Sequence, residues 1–196
     1  MEIELLERQS SELRKDIVEV CYHSKAGHVG GSLSAIDILN VLYFNELRID
    51  PNNPKMENRD RFILSKGHIA EALYVTLAKR GFFAYSELDN FSGYNTKYIG
   101  HPNNKVAGVE MNTGALGHGL AIGVGLAIAA KKMGQDYRTY VLMGDGELAE
   151  GSIWESAMAA GHYKLDNLCA IVDRNHLQIS GCTETVMTLE DLKGKW

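Results

Sequence analysis

Basic patches, long apolar runs and paired cysteines are all scarce in this chain, and each scarcity removes a class of function. Lys and Arg number 20 against 25 Asp and Glu, a formal charge of −5, and the basic residues are scattered apart from short pairs such as Lys131-Lys132. A nucleic-acid-binding surface needs a basic patch, so that class drops out. The longest apolar stretch, around Leu120 to Ala130, is too short and too glycine-rich to span a bilayer. Met1 to Arg14 is acidic and amphipathic and lacks the basic start and apolar core of a signal peptide. Cys21, Cys169 and Cys182 form no C-x-x-C pair and leave one thiol over, which suits neither a disulfide framework nor a zinc site. Cys21 and Cys169 read as small buried apolar residues. These absences predict a protein of the reducing cytoplasm with no nucleic-acid partner and no membrane span.

With 196 residues, 45% of them hydrophobic, the chain suits one compact domain over residues 1–196 with a core large enough to fold without staples. Glu4 to Ala26 reads as a helix with Leu5, Leu13, Ile17, Val20 and Cys21 near one face. Gly27 to Gly31 breaks it, and Ser32 is placed to cap a second helix that runs through Ile36, Leu39, Val41 and Leu42 to about Leu47. Asp50 to Pro54 is a loop, Arg61 to Ser65 a short buried strand, and Ala70 to Arg80 a helix behind Lys66-Gly67-His68. Gly100 to Thr113 reads as irregular chain, and Gly114 to Met133, rich in small residues, as a closely packed helix.

Tyr137 to Met143 is a strand, Gly144-Asp145-Gly146 its turn, Ser152 to Tyr163 a helix and Leu168 to Val172 the next strand. Strand, helix, strand favours a parallel sheet flanked by helices, an α/β fold. Ligands of such sheets bind beyond the carboxyl ends of the strands. Asp145 stands at one such end and Asp173 to Asn175 at the next, so adjacent strands would bring Asp145 and Asn175 together. A carboxylate, an amide oxygen and a backbone carbonyl are hard oxygen ligands, which with two diphosphate oxygens and a water would complete an octahedral Mg²⁺ shell. The Gly146 amide, near a helix start, can donate to a phosphate oxygen. The same residue types also serve as plain turn and loop formers.

Gly144-Asp145-Gly146, Glu147-Leu148-Ala149-Glu150-Gly151 and Asp173-Arg174-Asn175-His176-Leu177 resemble the thiamine-diphosphate motif of transketolases. Ala26-Gly27-His28-Val29-Gly30-Gly31, Leu64-Ser65-Lys66-Gly67-His68, Gly100-His101-Pro102 and Thr113-Gly114-Ala115-Leu116-Gly117 fall in that family's order at similar spacings. The wording is most similar to the N-terminal subunit of split transketolases, whose two halves are separate chains. The resemblance implies a thiamine-diphosphate-binding fold in which Asp145, Asn175 and the Leu177 carbonyl ligate Mg²⁺. It implies that His68, Gly114, Leu116, Gly146, Glu147 and Asn175 bind thiamine diphosphate, and that His28, His101 and His68 carry the catalytic histidine chemistry. It places Glu150 in a glutamate network across a subunit interface.

His28, His68 and His101 each sit in a glycine- or proline-rich break, where loops on a rigid scaffold commonly carry function, and histidine suits proton transfer on sugar hydroxyls near pH 7. His118 is open between cofactor contact and packing, and His23, His162 and His176 read as structural. Trp154, Met158 and Tyr163 read as core or subunit interface.

The implied activity is transfer of a two-carbon ketol unit between a ketose phosphate and an aldose phosphate. The implied partner is a C-terminal, pyrimidine-binding transketolase subunit, because the glutamate that works on the aminopyrimidine ring has no match here. A homodimer or heterotetramer follows. The rival readings are a 1-deoxyxylulose-5-phosphate synthase, a dihydroxyacetone synthase and a non-catalytic assembly subunit. Thr188 reads as a cap for a helix from Leu189, and a further strand beyond Trp196 is expected of a complete subunit.

Overall fold

The computed structural model describes residues 2–179 and 181–196. The chain separates into two compact units, Met1–Asp60 with Gly67–Gly114, and Arg61–Lys66 with Ala115–Trp196, a division that composition and periodicity do not mark.

The first unit is helical: α1 (Ile3–Ser24), α2 (Val29–Val41) with a π-helical turn at Leu42–Glu46, and α3 (Ala70–Arg80). Leu13, Ile17, Val20 and Cys21 of α1 are buried as their spacing predicts. Leu5 is instead 50% exposed; at 3.6 residues per turn it lies about 80° round the helix from Leu13, at the edge of the stripe. Ser32 is not the cap of α2. The helix opens earlier, with His28 at its N-cap position, and Ser32 lies inside it, fully buried. Every residue from Ala70 to Ala78 of α3 is buried. The Tyr74 ring meets Tyr98 and Phe91 edge-on at 5.6 and 6.2 Å, which fixes the otherwise irregular chain between Phe82 and Gly114 to α3.

The second unit holds the sheet. β1 (Arg61–Leu64), α4 (Gly119–Met133), β2 (Thr139–Gly144), α5 (Gly151–His162) and β3 (Leu168–Asp173) follow in order. The three strands are parallel in the order β1-β2-β3. β2 is central: Val141, Leu142 and Met143 are wholly buried. Ile63, Leu120, Val141, Met143, Leu148, Ile153 and Leu189 form one apolar core. The small residues of α4 let it lie close on the sheet; a Cβ on Gly123 would collide with the Val141 side chain. The helix begins at Gly119 rather than Gly114, because residues 115–118 form a turn closed by the His118 N–H on the Ala115 carbonyl.

Beyond β3, β4 (Leu177–Gln178) and β5 (Gly181–Cys182) make a small antiparallel hairpin, followed by α6 (Thr183–Val186) and α7 (Leu192–Lys195). The helix expected from Leu189 starts later, at Leu192, where Asp191 caps it by accepting the Gly194 N–H at 3.0 Å. Thr188 instead donates to Glu184 and accepts the Glu190 N–H, and Leu189 turns into the sheet core. Cys21 is buried, Cys169 half-buried and Cys182 exposed, all three as free thiols. Met158 and Tyr163 are exposed, at 69% and 57%, so neither belongs to the core. Among the described residues no helix is long and apolar enough to cross a membrane.

Candidate functional site

In the second unit the register Gly144↔Asp173 ends β2 and β3 side by side, and the Asp145 N–H donates to the Asp173 carbonyl at 3.2 Å. Asp145 is 1% exposed. Its Oδ1 accepts the Gly146 N–H at 2.8 Å. Its Oδ2 accepts from Arg174 Nη1 at 2.7 Å, from the His176 N–H at 2.9 Å and from the Thr183 hydroxyl at 3.1 Å. The two strand ends expected to meet therefore do meet. The Gly146 amide, expected at a phosphate, is turned to Asp145.

Asn175 is half-buried, and its Oδ1 accepts the Leu177 N–H at 3.0 Å. Leu177 is 69% exposed. Asp145, Asn175 and Leu177 offer a carboxylate, an amide and a carbonyl oxygen, and the Arg174 guanidinium already rests on the Asp145 carboxylate. This donor chemistry fits a hard divalent cation. Among the described residues no cluster of three or more His, Cys, Asp or Glu side chains could hold a metal; the Asp145 turn offers one acid and neutral oxygens.

Glu147 is buried and works as a brace. Its Oε1 accepts from the Ser65 hydroxyl and from the Gly117 N–H at 2.8 Å, and its Oε2 accepts the Gly144 N–H at 3.1 Å. It ties the end of β1, the turn before α4 and the end of β2 together. Leu116 lies in that same turn, half-buried, with its carbonyl 3.3 Å from His118 Nδ1. His118 is exposed at the N-cap of α4. Lys66 and Asp173, with side chains 1% and 7% exposed, pair at 2.6 Å. Glu150, expected at an interface, is exposed at the N-cap of α5.

In the first unit His28 and His101 are exposed and His68 half-buried. The rings of His28 and His68 meet edge-on, 5.3 Å apart. Glu71, 1% exposed, receives the His28 N–H at 2.6 Å and the Ser32 hydroxyl at 2.7 Å on one oxygen. The His101 carbonyl accepts the Tyr74 hydroxyl at 2.8 Å. Gly114 has φ +139°, and a Cβ on it would lie 2.6 Å from the His101 ring, so glycine serves both the turn and the ring's position. Of the three histidines expected to be structural, His23, His162 and His176 are all exposed.

Sequence reasoning missed Lys66, Glu71, Arg174 and the bracing role of Glu147. A charged residue directly after an apolar strand, as at Lys66, was the available signal for the first. A cleft of about 630 Å³ lined by Trp154, Met158, Leu165, Leu168 and Trp196 lies away from these strand ends and shares none of the residues above.

The family described as transketolase, thiamine diphosphate binding domain, matches residues 7–196. The chain is 56% identical to one subunit of the apulose-4-phosphate transketolase of Phocaeicola vulgatus, over all of this chain and 70% of that one. It is 42% identical to a 6-deoxy-6-sulfo-D-fructose transketolase subunit of a Clostridium species, over 97% of this chain and 70% of that one. The crystal structure of transketolase from Campylobacter jejuni superposes with a TM-score of 0.93 at 37% identity, covering the whole of this chain and 32% of the other.

Proposed function

The chain belongs to the transketolase family, in its thiamine-diphosphate-binding part, and from that premise we propose that it is the cofactor-binding subunit of a two-chain ketol transferase. The reaction would move a two-carbon ketol unit from a ketose phosphate to an aldose phosphate. The relatives named for apulose 4-phosphate make that ketose phosphate the first donor to test. The partner would be a chain carrying the pyrimidine-binding domain, met as a heterotetramer built on a dimer of this chain, in the cytoplasm.

One observation carries the reading: a buried aspartate at the end of β2 bonded to the backbone that follows β3, Asp145 Oδ2 to the His176 N–H at 2.9 Å. Asp145, Asn175 and the Leu177 carbonyl would hold Mg²⁺, whose charge offsets that of the diphosphate. Thiamine diphosphate, when bound, supplies the nucleophilic carbon and electron sink that ketol transfer requires. This chain's own groups do the rest. Gly146 and Asn175 would hold the diphosphate, and Glu147 keeps the turns at Gly117 and Gly144 in place for it. Gly114 and Leu116 are assigned to the aminopyrimidine side, and His68 to the diphosphate. His28 and His101 take and return protons on the sugar's hydroxyl and carbonyl oxygens.

The test is calorimetry of thiamine diphosphate with Mg²⁺ on wild type and Asp145→Ala, followed by a coupled ketol-transfer assay with and without the partner chain. Binding lost in Asp145→Ala and turnover only with the partner are expected. Undiminished affinity in that variant would remove the metal assignment.

A further inference from the structure

Arg174 lies between Asp173, the last residue of β3, and Asn175, an expected ligand. Its guanidinium bridges two carboxylates: Nη1 donates to Asp145 Oδ2 at 2.7 Å, and Nη2 donates to Glu184 of α6. The two carboxylates differ in setting. The Asp145 side chain is 2% exposed and that of Glu184 40% exposed, while Arg174 itself is 25% exposed. Arg174 is therefore the counter-ion of an acid that the fold buries, and a buried carboxylate stripped of its counter-ion is costly.

We infer that Arg174 holds the place of the divalent cation on Asp145 and yields it by turning to Glu184, so that this arginine sets the chain's intrinsic cation affinity. The inference rests on the Asp145 metal reading. Oδ2 already accepts three hydrogen bonds, so a cation bound there must displace one, and Arg174 is the only partner of the three that is both cationic and able to reach solvent. A cation on Oδ1 would keep all three but would sit within about 4–6 Å of the guanidinium, a range in which like charges oppose each other strongly. By either oxygen the positive charge of Arg174 works against the metal. Glu184 gives the guanidinium somewhere to go, since the second half of the bridge stays intact when the first opens. The backbone N–H of His176 and the hydroxyl of Thr183 are neutral and hold the carboxylate in place through the exchange.

The probe is Mn²⁺ alone, followed by electron paramagnetic resonance on the full chain without thiamine diphosphate, so that no diphosphate charge enters. Arg174→Met should bind Mn²⁺ at least about tenfold more tightly than wild type, because a nearby opposing unit charge has gone. Arg174→Lys, which keeps the charge, should stay much closer to wild type. In EDTA, Arg174→Met should melt lower than wild type, and added Mg²⁺ should raise its Tm by more. Mn²⁺ affinity unchanged or weakened in Arg174→Met would overturn the inference. Wild-type Mn²⁺ binding that survives Asp145→Ala would instead remove the metal reading beneath it, so the two failures are distinct. Should Arg174→Met not fold, nitrogen NMR of the wild-type Arg174 side chain, assigned with Arg174→Lys, decides. Its signal moves during Mg²⁺ titration if the pair opens, and a static signal at saturating Mg²⁺ overturns the inference.

Discussion

Lys66 Nζ lies 2.6 Å from Asp173 Oδ2, and both side chains are almost wholly buried. The pair ties the residues just past β1 to the end of β3, the two outer strands of the sheet. Desolvation consumes much of the attraction in such a pair, but removing one partner strands a charge. Lys66→Met should therefore lose about 3–5 kcal/mol of stability. The double variant Lys66→Met with Asp173→Leu should recover much of that, as a urea-melt double-mutant cycle would read. Equal loss in single and double variants would mean that packing, not charge, dominates.

Glu147 accepts three hydrogen bonds from Ser65, Gly117 and Gly144. Glu147→Ala leaves three buried donors without an acceptor, at about 1–3 kcal/mol each. We expect Glu147→Gln to cost less than Glu147→Ala, since one carbonyl oxygen remains. Hydrogen exchange should show the Gly117 and Gly144 amides losing protection together.

Cys21 is pushed up to about 11 from 9.0, first by burial and then by the charge of Glu71. In the unfolded chain the thiol ionises near its ordinary value, so the folded form holds its proton longer. The stabilisation is complete below pH 9.0 and is lost as pH rises from 9.0 through about 11. Cys21→Ala should flatten that part of an alkaline stability curve. In native protein at pH 8, Cys182 should react with a thiol reagent and Cys21 only after unfolding.

His28→Ala and His101→Ala in the reconstituted two-chain enzyme should each lower kcat by about 10²–10⁴, the usual worth of a positioned proton-transfer group. Thiamine diphosphate affinity, measured by calorimetry, should change little. Wild-type turnover in both variants would take them out of the chemistry.

Much of this was legible in the sequence where a local pattern carried it. Two apolar runs that end in Gly144-Asp145-Gly146 and Asp173-Arg174-Asn175 are enough to place two strand ends, and the structure pairs Gly144 with Asp173. The stripe of Leu13, Ile17 and Val20 marks the buried face of α1. Long-range polar pairing left no such trace. Lys66 and Asp173 are 107 residues apart, and nothing near either announces the other. Ser32 has the residue type of a cap, but Glu71, 39 positions later, takes its hydroxyl. Small-residue composition predicts a helix start at Gly114, and the cap-type residue Thr188 predicts one at Leu189. In the first case a turn, and in the second the pull of Leu189 into the sheet core, delays the helix.

The strand Arg61–Leu64 belongs to one compact unit although the chain on either side of it, through Asp60 and from Gly67, belongs to the other. During synthesis this has a cost in time. β1 leaves the ribosome with its apolar edge open, and its hydrogen-bonding partner begins only at Thr139. At about 5–20 residues per second, the 75 residues from Leu64 to Thr139 (139 − 64) take roughly 4–15 s. For that interval Phe62, Ile63 and Leu64 have no strand to pair with, and an unpaired apolar strand invites association between nascent chains. Only one helix of the sheet's own unit, α4, is made in the interval, which makes its glycine-rich face the earliest shelter available to β1. A chaperone that binds extended apolar segments would find its target here, before β2 appears.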